Sequence, residues 1–294
     1  MRNGNKVIDV HHHVFPKGMT PHKWDIDQDK KDMDEAGVDT VVLSCPVPLH
    51  HEQVKEVNEL MSETRKRYPG RYYALGSLSF EETEETLEEL KYALDVLKLD
   101  GIILSSNSYS VYISDDRLDP IFDELNRRKT TVFLHPSPKR AEGYDVRLNG
   151  ADDSAYEYTF ETARAMLDYV YRDKHLRNPD IRWVLSHAGG VIPYLSYRVS
   201  HAYRWHAARQ NEEVLLKQLK SFYYDLALSN DLLIYRFLKD FCGSAHIVFG
   251  SDYPAHKPID IKEDVGILTN TAIFTDEEKE YITHRTAEEL FKMK

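Results

Sequence analysis

Val7-Ile8-Asp9-Val10-His11-His12-His13-Val14-Phe15-Pro16 is the first apolar run of the chain, and it ends in three consecutive histidines. Side chains alternate faces along an extended strand, so His11 and His13 project to one side and His12 to the other. Two imidazoles on one face at the end of a buried strand are half of a metal site. Later runs supply the other half. His135 ends Thr131-Val132-Phe133-Leu134-His135, and His187 ends Trp183-Val184-Leu185-Ser186-His187. Asp252 follows Ile247-Val248-Phe249-Gly250-Ser251. Each is a metal-ligand or acid–base residue type at the C-terminal end of an apolar stretch.

Working outward, eight short apolar runs recur: Val7–Val10, Thr40–Ser44, Tyr72–Leu78, Gly101–Ser105, Thr131–His135, Arg182–Ser186, Phe222–Leu228 and His246–Gly250. Near-continuous Val, Ile, Leu and Phe suits parallel strands covered on both faces. Between them, Glu52–Tyr68, Glu81–Leu97, Thr159–Tyr171 and Glu277–Met293 read as amphipathic helices. Strands alternating with helices over 294 residues predict one (β/α)8 TIM barrel domain spanning 1–294. An open doubly wound sheet is the rival fold, but it needs a Gly-rich turn after an early strand, and this chain has histidines and a proline there. Two connections are long: the polar loop Lys139–Ser154 and the aromatic-rich stretch Val191–Lys220. On a barrel both start at the C-terminal rim and are placed to wall a site.

A barrel brings all its C-terminal strand ends around one mouth, and strand eight closes against strand one. His11, His13, His135 and Asp252 then form a candidate metal site with room for a further ligand. Each residue alone has a plain reading. His-x-His also occurs in surface loops, a lone His135 is commonly a hydrogen-bonded core residue, and Asp252 suits a turn cap. Together, at the ends of different strands, they are hard to explain structurally. His187, in Leu185-Ser186-His187-Ala188-Gly189-Gly190, reads either as a general acid or base or as a further ligand. His12 points away and reads as structural or solvent-facing. Asp9 reads as a partner behind the metal ligands or a cap on the barrel floor, Asp225 as a buried polar group, and His246 as lying at the wrong end of its strand. His256 is a weak candidate for the mouth. His22, His50, His51, His175, His201, His206 and His284 carry no partner spacing and read mostly as solvated.

These motifs, with Leu118-Asp119-Pro120-Ile121-Phe122-Asp123-Glu124-Leu125-Asn126-Arg127-Arg128 and Tyr158-Thr159-Phe160-Glu161-Thr162-Ala163-Arg164, resemble the amidohydrolase-related superfamily. They look most like its aminocarboxymuconate-semialdehyde decarboxylase branch, which includes γ-resorcylate and 6-methylsalicylate decarboxylases. The resemblance implies that His11, His13, His135 and Asp252 hold one divalent metal, zinc first and manganese as the alternative. It also implies that His187 works beside the metal and that Asp252 takes part in catalysis. Strand four, Gly101-Ile102-Ile103-Leu104-Ser105-Ser106, lacks the lysine of binuclear relatives, and the His pair begins at residue 11, with no upstream β-domain expected.

The expected activity is non-oxidative decarboxylation of an aromatic or unsaturated carboxylic acid, best a salicylate-type hydroxybenzoate. The alternative is hydrolysis of a lactone or amide, or hydration, at the same mononuclear site. Arg140, Arg147, Arg198 and Arg204 are candidates to hold the substrate carboxylate. Tyr194 and Tyr197 are placed either to wall an aromatic ligand or to pack their helix onto the barrel. A net charge of −11 argues against nucleic acid or an anionic membrane as partner. Cys45 and Cys242 are too few for a disulfide framework, and no signal-like or membrane-spanning apolar run is evident. A cytoplasmic homo-oligomer, dimer or tetramer, is expected, with Tyr203, Trp205 and Phe222 as interface or core aromatics.

Overall fold

The structure is a computed structural model and describes residues 6–15, 24–138, 152–202 and 211–293. The barrel strands are β1 (Ile8–His13), β2 (Thr40–Ser44), β3 (Tyr72–Ser77), β4 (Gly101–Ser105), β5 (Thr131–His135), β6 (Arg182–Leu185), β7 (Tyr223–Asp225) and β8 (Ile247–Val248). They are parallel and hydrogen-bonded in chain order. The sheet returns on itself just past β8. Val10 N–H donates to Phe249 O at 3.0 Å, Asp252 N–H to His11 O at 2.8 Å, and His13 N–H to Tyr253 O at 2.8 Å. This is the (β/α)8 barrel expected from the alternation of apolar runs and helices.

The strands carry two apolar faces, as strands inside a ring of helices must. Val42, Leu75, Ile103, Phe133, Val184 and Val248 pack inside the barrel with Ile8 and Val10. Their neighbours Val41, Leu43, Ile102, Leu104, Val132, Leu134, Trp183 and Leu185 pack outward against the helices. Leu290 and Phe291 of the C-terminal segment join the inner cluster. The pairing of β1 with β2 slips between Asp9 and His12. Beyond that slip His11 lies on the inner side with Val10, its ring 5.0 Å from Phe133. A register irregularity re-aims side chains in this way, and such features gather beside functional sites.

Outside the barrel run α1 (Ile26–Ala36), α2 (His51–Arg67), α3 (Thr83–Lys91), α4 (Asp119–Arg127) and α5 (Glu157–Tyr171), then Ile192–His201, Glu212–Ser221, Leu232–Cys242 and Pro258–Asn270. α3 runs on into a π-turn at Tyr92–Val96, which completes the helix expected over Glu81–Leu97. The helix expected over Glu277–Met293 is Asp276–Glu280, a π-turn at Tyr281–Arg285, and Thr286–Leu290. β1 contains the three histidines, as expected of a strand that runs past the apolar stretch Val7–Val10. β7 and β8 are shorter than Phe222–Leu228 and His246–Gly250. The Asp225 carboxylate accepts the Ala227 N–H at 3.0 Å and ends β7 in a turn. His246 sits in a 3-10 turn, not in the strand. Most of the Lys139–Ser154 loop lies outside the described residues. Among the described residues, no helix is long and apolar enough to cross a membrane. Both cysteines are free.

Candidate active site

The C-terminal ends of β1, β5, β6 and β8 bring the predicted residues to one point. His11 Nε2 lies 3.0 Å from His13 Nε2 and 3.3 Å from Asp252 Oδ1. His13 Nε2 is 3.1 Å from the same carboxylate oxygen, and His187 Nε2 is 3.4 Å from Asp252 Oδ2. The His135 ring stands edge-on to those of His11 and His13, at 5.2 and 4.7 Å between centroids. Donor atoms of His11, His135, His187 and Asp252 all fall within 4.8 Å of one another, and every one of these residues is buried. His187 therefore lies as deep in the cluster as the expected ligands.

Three of the rings are held from behind. His13 Nδ1 is 3.0 Å from Ser44 Oγ on β2, and His135 Nδ1 donates to Pro136 O at 2.9 Å. His11 Nδ1 meets Asp225 Oδ2 at 2.6 Å, which holds a proton on Nδ1 and leaves Nε2 to face the cluster. The other Asp225 oxygen accepts the His187 backbone N–H at 2.8 Å. His187 and Ala188 have φ of 53° and 56°, and Gly189 and Gly190 follow at 69° and 60°. Non-glycine residues rarely take such values, and they persist only where surrounding contacts hold them. A Cβ on Gly190 would lie 2.0 Å from Thr159 O, so only glycine lets α5 approach this turn. The His187 Nδ1 is buried with no partner among the described residues.

The electrostatics call for a cation. Burial disfavours a charged His11, yet Asp225 and Asp252 outweigh it and raise the group to about 10. Burial lowers His13 to about 4 and pushes His135 well below its usual range, helped by the neighbouring imidazoles. Burial opposes a charged Asp252, but His11, His13 and His187 hold its carboxyl well below the usual range. Two neutral imidazoles, a third whose extra proton is held by two carboxylates, and the ionised Asp252 form a donor set that fits one divalent metal, which would take the place of that proton.

Other expectations sort themselves on this frame. His12 is fully buried, so its structural reading holds and the solvent-facing one does not. It bonds Asp29 at 2.7 Å and Asp9 at 3.1 Å and stacks on Tyr253. Asp9 accepts the His11 N–H at 3.0 Å and the Ser251 N–H at 2.9 Å, so it supports the backbone behind the ligands. His175 and His201 are buried, not solvated. His256 lies 3.3 Å from Asp264. Tyr194 and Tyr197 are exposed and do not pack onto the barrel, Arg198 is exposed, and Phe222 is core. Arg140, Arg147, Arg204, Tyr203, Trp205, His22 and His206 lie outside the described residues. Two residues were under-read. Asp225 stands at a C-terminal strand end like the ligands, which was its signal. Tyr158 carries a phenol raised by burial and by Asp152, Asp153 and Asp252, so it lies within electrostatic reach of the cluster.

The amidohydrolase family profile matches residues 8–293. The chain belongs to the amidohydrolase family. It is 31% identical to the decarboxylase yanB of Aspergillus niger, over 97% of this chain and 87% of that protein. It is 29% identical to the 6-methylsalicylic acid decarboxylase acuB of Aspergillus aculeatus, over 84% of each. Among solved structures, a dihydroxybenzoic acid decarboxylase from Polaromonas sp. JS666 with bound manganese and the inhibitor 2-nitroresorcinol superposes with a TM-score of 0.84. That match covers 98% of this chain and 97% of that one at 18% identity, a likeness of fold.

Proposed function

We propose that this amidohydrolase is a metal-dependent, non-oxidative decarboxylase of an ortho-hydroxybenzoate-type aromatic acid. The convergence of His11, His13, His135, His187 and Asp252 at one buried mouth carries the reading, and the decarboxylases aligned along the chain support it. His11, His13, His135 and Asp252 are the proposed ligands of one divalent metal. Three imidazole nitrogens and one carboxylate oxygen favour zinc, with manganese as the alternative. When bound, the metal supplies a positive centre that fixes a substrate carboxylate and its neighbouring hydroxyl in the reacting geometry.

The chain's own groups move the proton. Asp252 is held as a carboxylate, so it first accepts the proton of the substrate hydroxyl. It returns that proton to the ring carbon bearing the carboxyl group. The C–C bond then breaks, its electron pair restores the aromatic ring, and CO2 leaves. A solvent proton, carried by His187 at 3.4 Å from Asp252, neutralises the product phenoxide. We place the enzyme in the cytoplasm as a homo-oligomer of single-barrel subunits, its free cysteines suiting a reducing compartment.

The test is release of labelled CO2 or bicarbonate from 13C-carboxyl hydroxybenzoates by zinc- or manganese-loaded protein, read by NMR. Release that stops on chelation is expected. Bound metal with no release across the panel, and turnover of lactones instead, overturns the reading.

A further inference from the structure

Glu161 on α5 is only 7% exposed, and among the described residues its carboxylate takes four donors. Asn107 Nδ2 donates to Oε1 at 2.7 Å, Tyr112 OH to Oε2 at 3.1 Å, and Arg164 pairs with Oε2. The fourth donor is the Ser106 hydroxyl, 2.9 Å from Oε1. A carboxylate is costly to bury unless partners of this kind surround it. Three of these contacts end at Glu161. The one through Ser106 leads on to the metal centre.

Ser106 is fully buried and directly follows β4. Its backbone N–H donates to His135 O at 2.8 Å. Its hydroxyl gives its proton to Glu161 and accepts the Ser137 N–H at 2.9 Å. That N–H belongs to the peptide group joining Pro136 to Ser137. The carbonyl of the same group, Pro136 O, meets His135 Nδ1 at 2.9 Å. A carbonyl oxygen can only accept, so His135 carries a proton on Nδ1 and keeps Nε2 as its donor atom for a metal.

We propose that Glu161 positions His135 for the metal, on the reading that His135 is a ligand, and that it acts through Ser106 and the Pro136–Ser137 peptide. Every donor along this path points the same way: the imidazole to the peptide, the peptide to the serine, the serine to the carboxylate. Hydrogen bonds in such a chain polarise one another. The negative end at Glu161 therefore favours the Nδ1–H tautomer, fixes the ring plane and strengthens Nε2 as a donor. His11 has the same support directly, from Asp225 at 2.6 Å. The path behind His13 is shorter and ends at a neutral group: Nδ1 meets Ser44 Oγ at 3.0 Å, and that hydroxyl donates to His12 O at 3.1 Å. Two of the three imidazoles are thus backed by a carboxylate, one of them across a relay.

The test is the zinc affinity of the full chain, measured by competition with a chelating dye. A second readout is the tautomer of the His135 ring in metal-free protein, from its 15N chemical shifts. Ser106→Ala and Glu161→Gln should each weaken zinc binding by about tenfold and lower the share of the Nδ1–H form. The double variant should bind no worse than the weaker single, because both residues act in one chain. Tyr112→Phe removes a contact of the same carboxylate outside the chain, and it should stay within about threefold of the parent. Ser106→Ala keeps the test open if Glu161→Gln fails to fold. His135→Ala checks the ligand itself. Zinc affinity lost in His135→Ala but kept in Ser106→Ala and Glu161→Gln leaves the ligand standing and refutes the relay. Affinity kept in His135→Ala removes the ligand and the relay together. A loss in Tyr112→Phe as large as in Ser106→Ala makes Glu161 a brace of the fold and also overturns the relay.

Discussion

Replacing Asp225 by asparagine tests how the centre is built. The carboxylate makes three contacts: Oδ2 with His11 Nδ1 at 2.6 Å, and Oδ1 with the backbone N–H groups of His187 and Ala227 at 2.8 and 3.0 Å. Asparagine keeps its oxygen on the two backbone donors, because the opposite flip would leave both unpaired at ~1–3 kcal/mol each. Its NH2 group then faces His11 Nδ1, which must become an acceptor. In the neutral form of the ring the proton then sits on Nε2, the nitrogen 3.0 Å from His13 and 3.3 Å from Asp252. A protonated Nε2 cannot ligate. Binding metal then requires restoring the other tautomer against the amide, at the loss of a charge-assisted hydrogen bond of ~1.5–3 kcal/mol. At about 1.4 kcal/mol per tenfold, metal affinity should fall by roughly 10- to 100-fold, in the range such supporting groups usually carry. Competition with a chelating dye measures the affinity. A dissociation constant within about threefold of the parent refutes the reasoning.

Gly250→Ala should lower Tm by several degrees and weaken metal binding. The new Cβ would lie 2.7 Å from the Cβ of His11, and such overpacking costs ~1–3 kcal/mol. Differential scanning calorimetry with and without metal checks it. Asp252→Asn should lose decarboxylation by ~10²-fold or more through loss of the proton carrier, read as initial rates of CO2 release at saturating metal. Cys45 and Cys242 should resist a disulfide reagent at pH 8 in the native protein. Burial pushes both thiols up to about 12, so the reactive thiolate, about a tenth of an ordinary thiol of pKa 9 at that pH, falls to ~10⁻⁴. Both should react once guanidinium unfolds the chain. Removing the metal by dialysis against a chelator should abolish activity and lower Tm, with both restored by adding zinc back.

The barrel was legible because parallel strands buried on both faces must be nearly all apolar, and such runs stand out. The ligands were legible by position, since each closes such a run. What the sequence hid is set by contacts between distant residues. Strand β7 ends early because Asp225 takes the Ala227 N–H, and β8 because the Phe249 N–H turns to Ile282 O at 3.0 Å. The second contact spans 33 positions, and nothing within His246–Gly250 announces it. His175 and His201 read as solvated because a helical pattern does not say which polar residue turns inward. His175 in fact packs edge-on to Phe222, with ring centroids 4.9 Å apart. Asp225 is buried as expected, but its role is not legible, because a buried carboxylate gains its meaning only from its partner, and His11 is 214 positions away in the chain.

The third histidine explains why the other two can be placed so tightly. His12 faces the back of β1, where Asp29 accepts its Nε2–H at 2.7 Å. Asp29 also accepts the Trp24 indole N–H at 2.8 Å and the Tyr72 hydroxyl at 2.7 Å. Burial opposes a charged His12, but Asp29 and Asp9 outweigh it and raise the group to about 9, so the pair is ionic at neutral pH. A fully buried ion pair is weak evidence for stability, because desolvation takes back much of the attraction. Its effect here is geometric. Through Asp29 it ties β1 to α1 and β3, and through Asp9 and Ser251 to the turn after β8. A ligand pair whose nitrogens must stay near one another needs a strand that cannot shift, and ligating side chains are only as well placed as the contacts behind them. In His11-His12-His13 the outer residues form the centre, and the middle one anchors the strand that carries them.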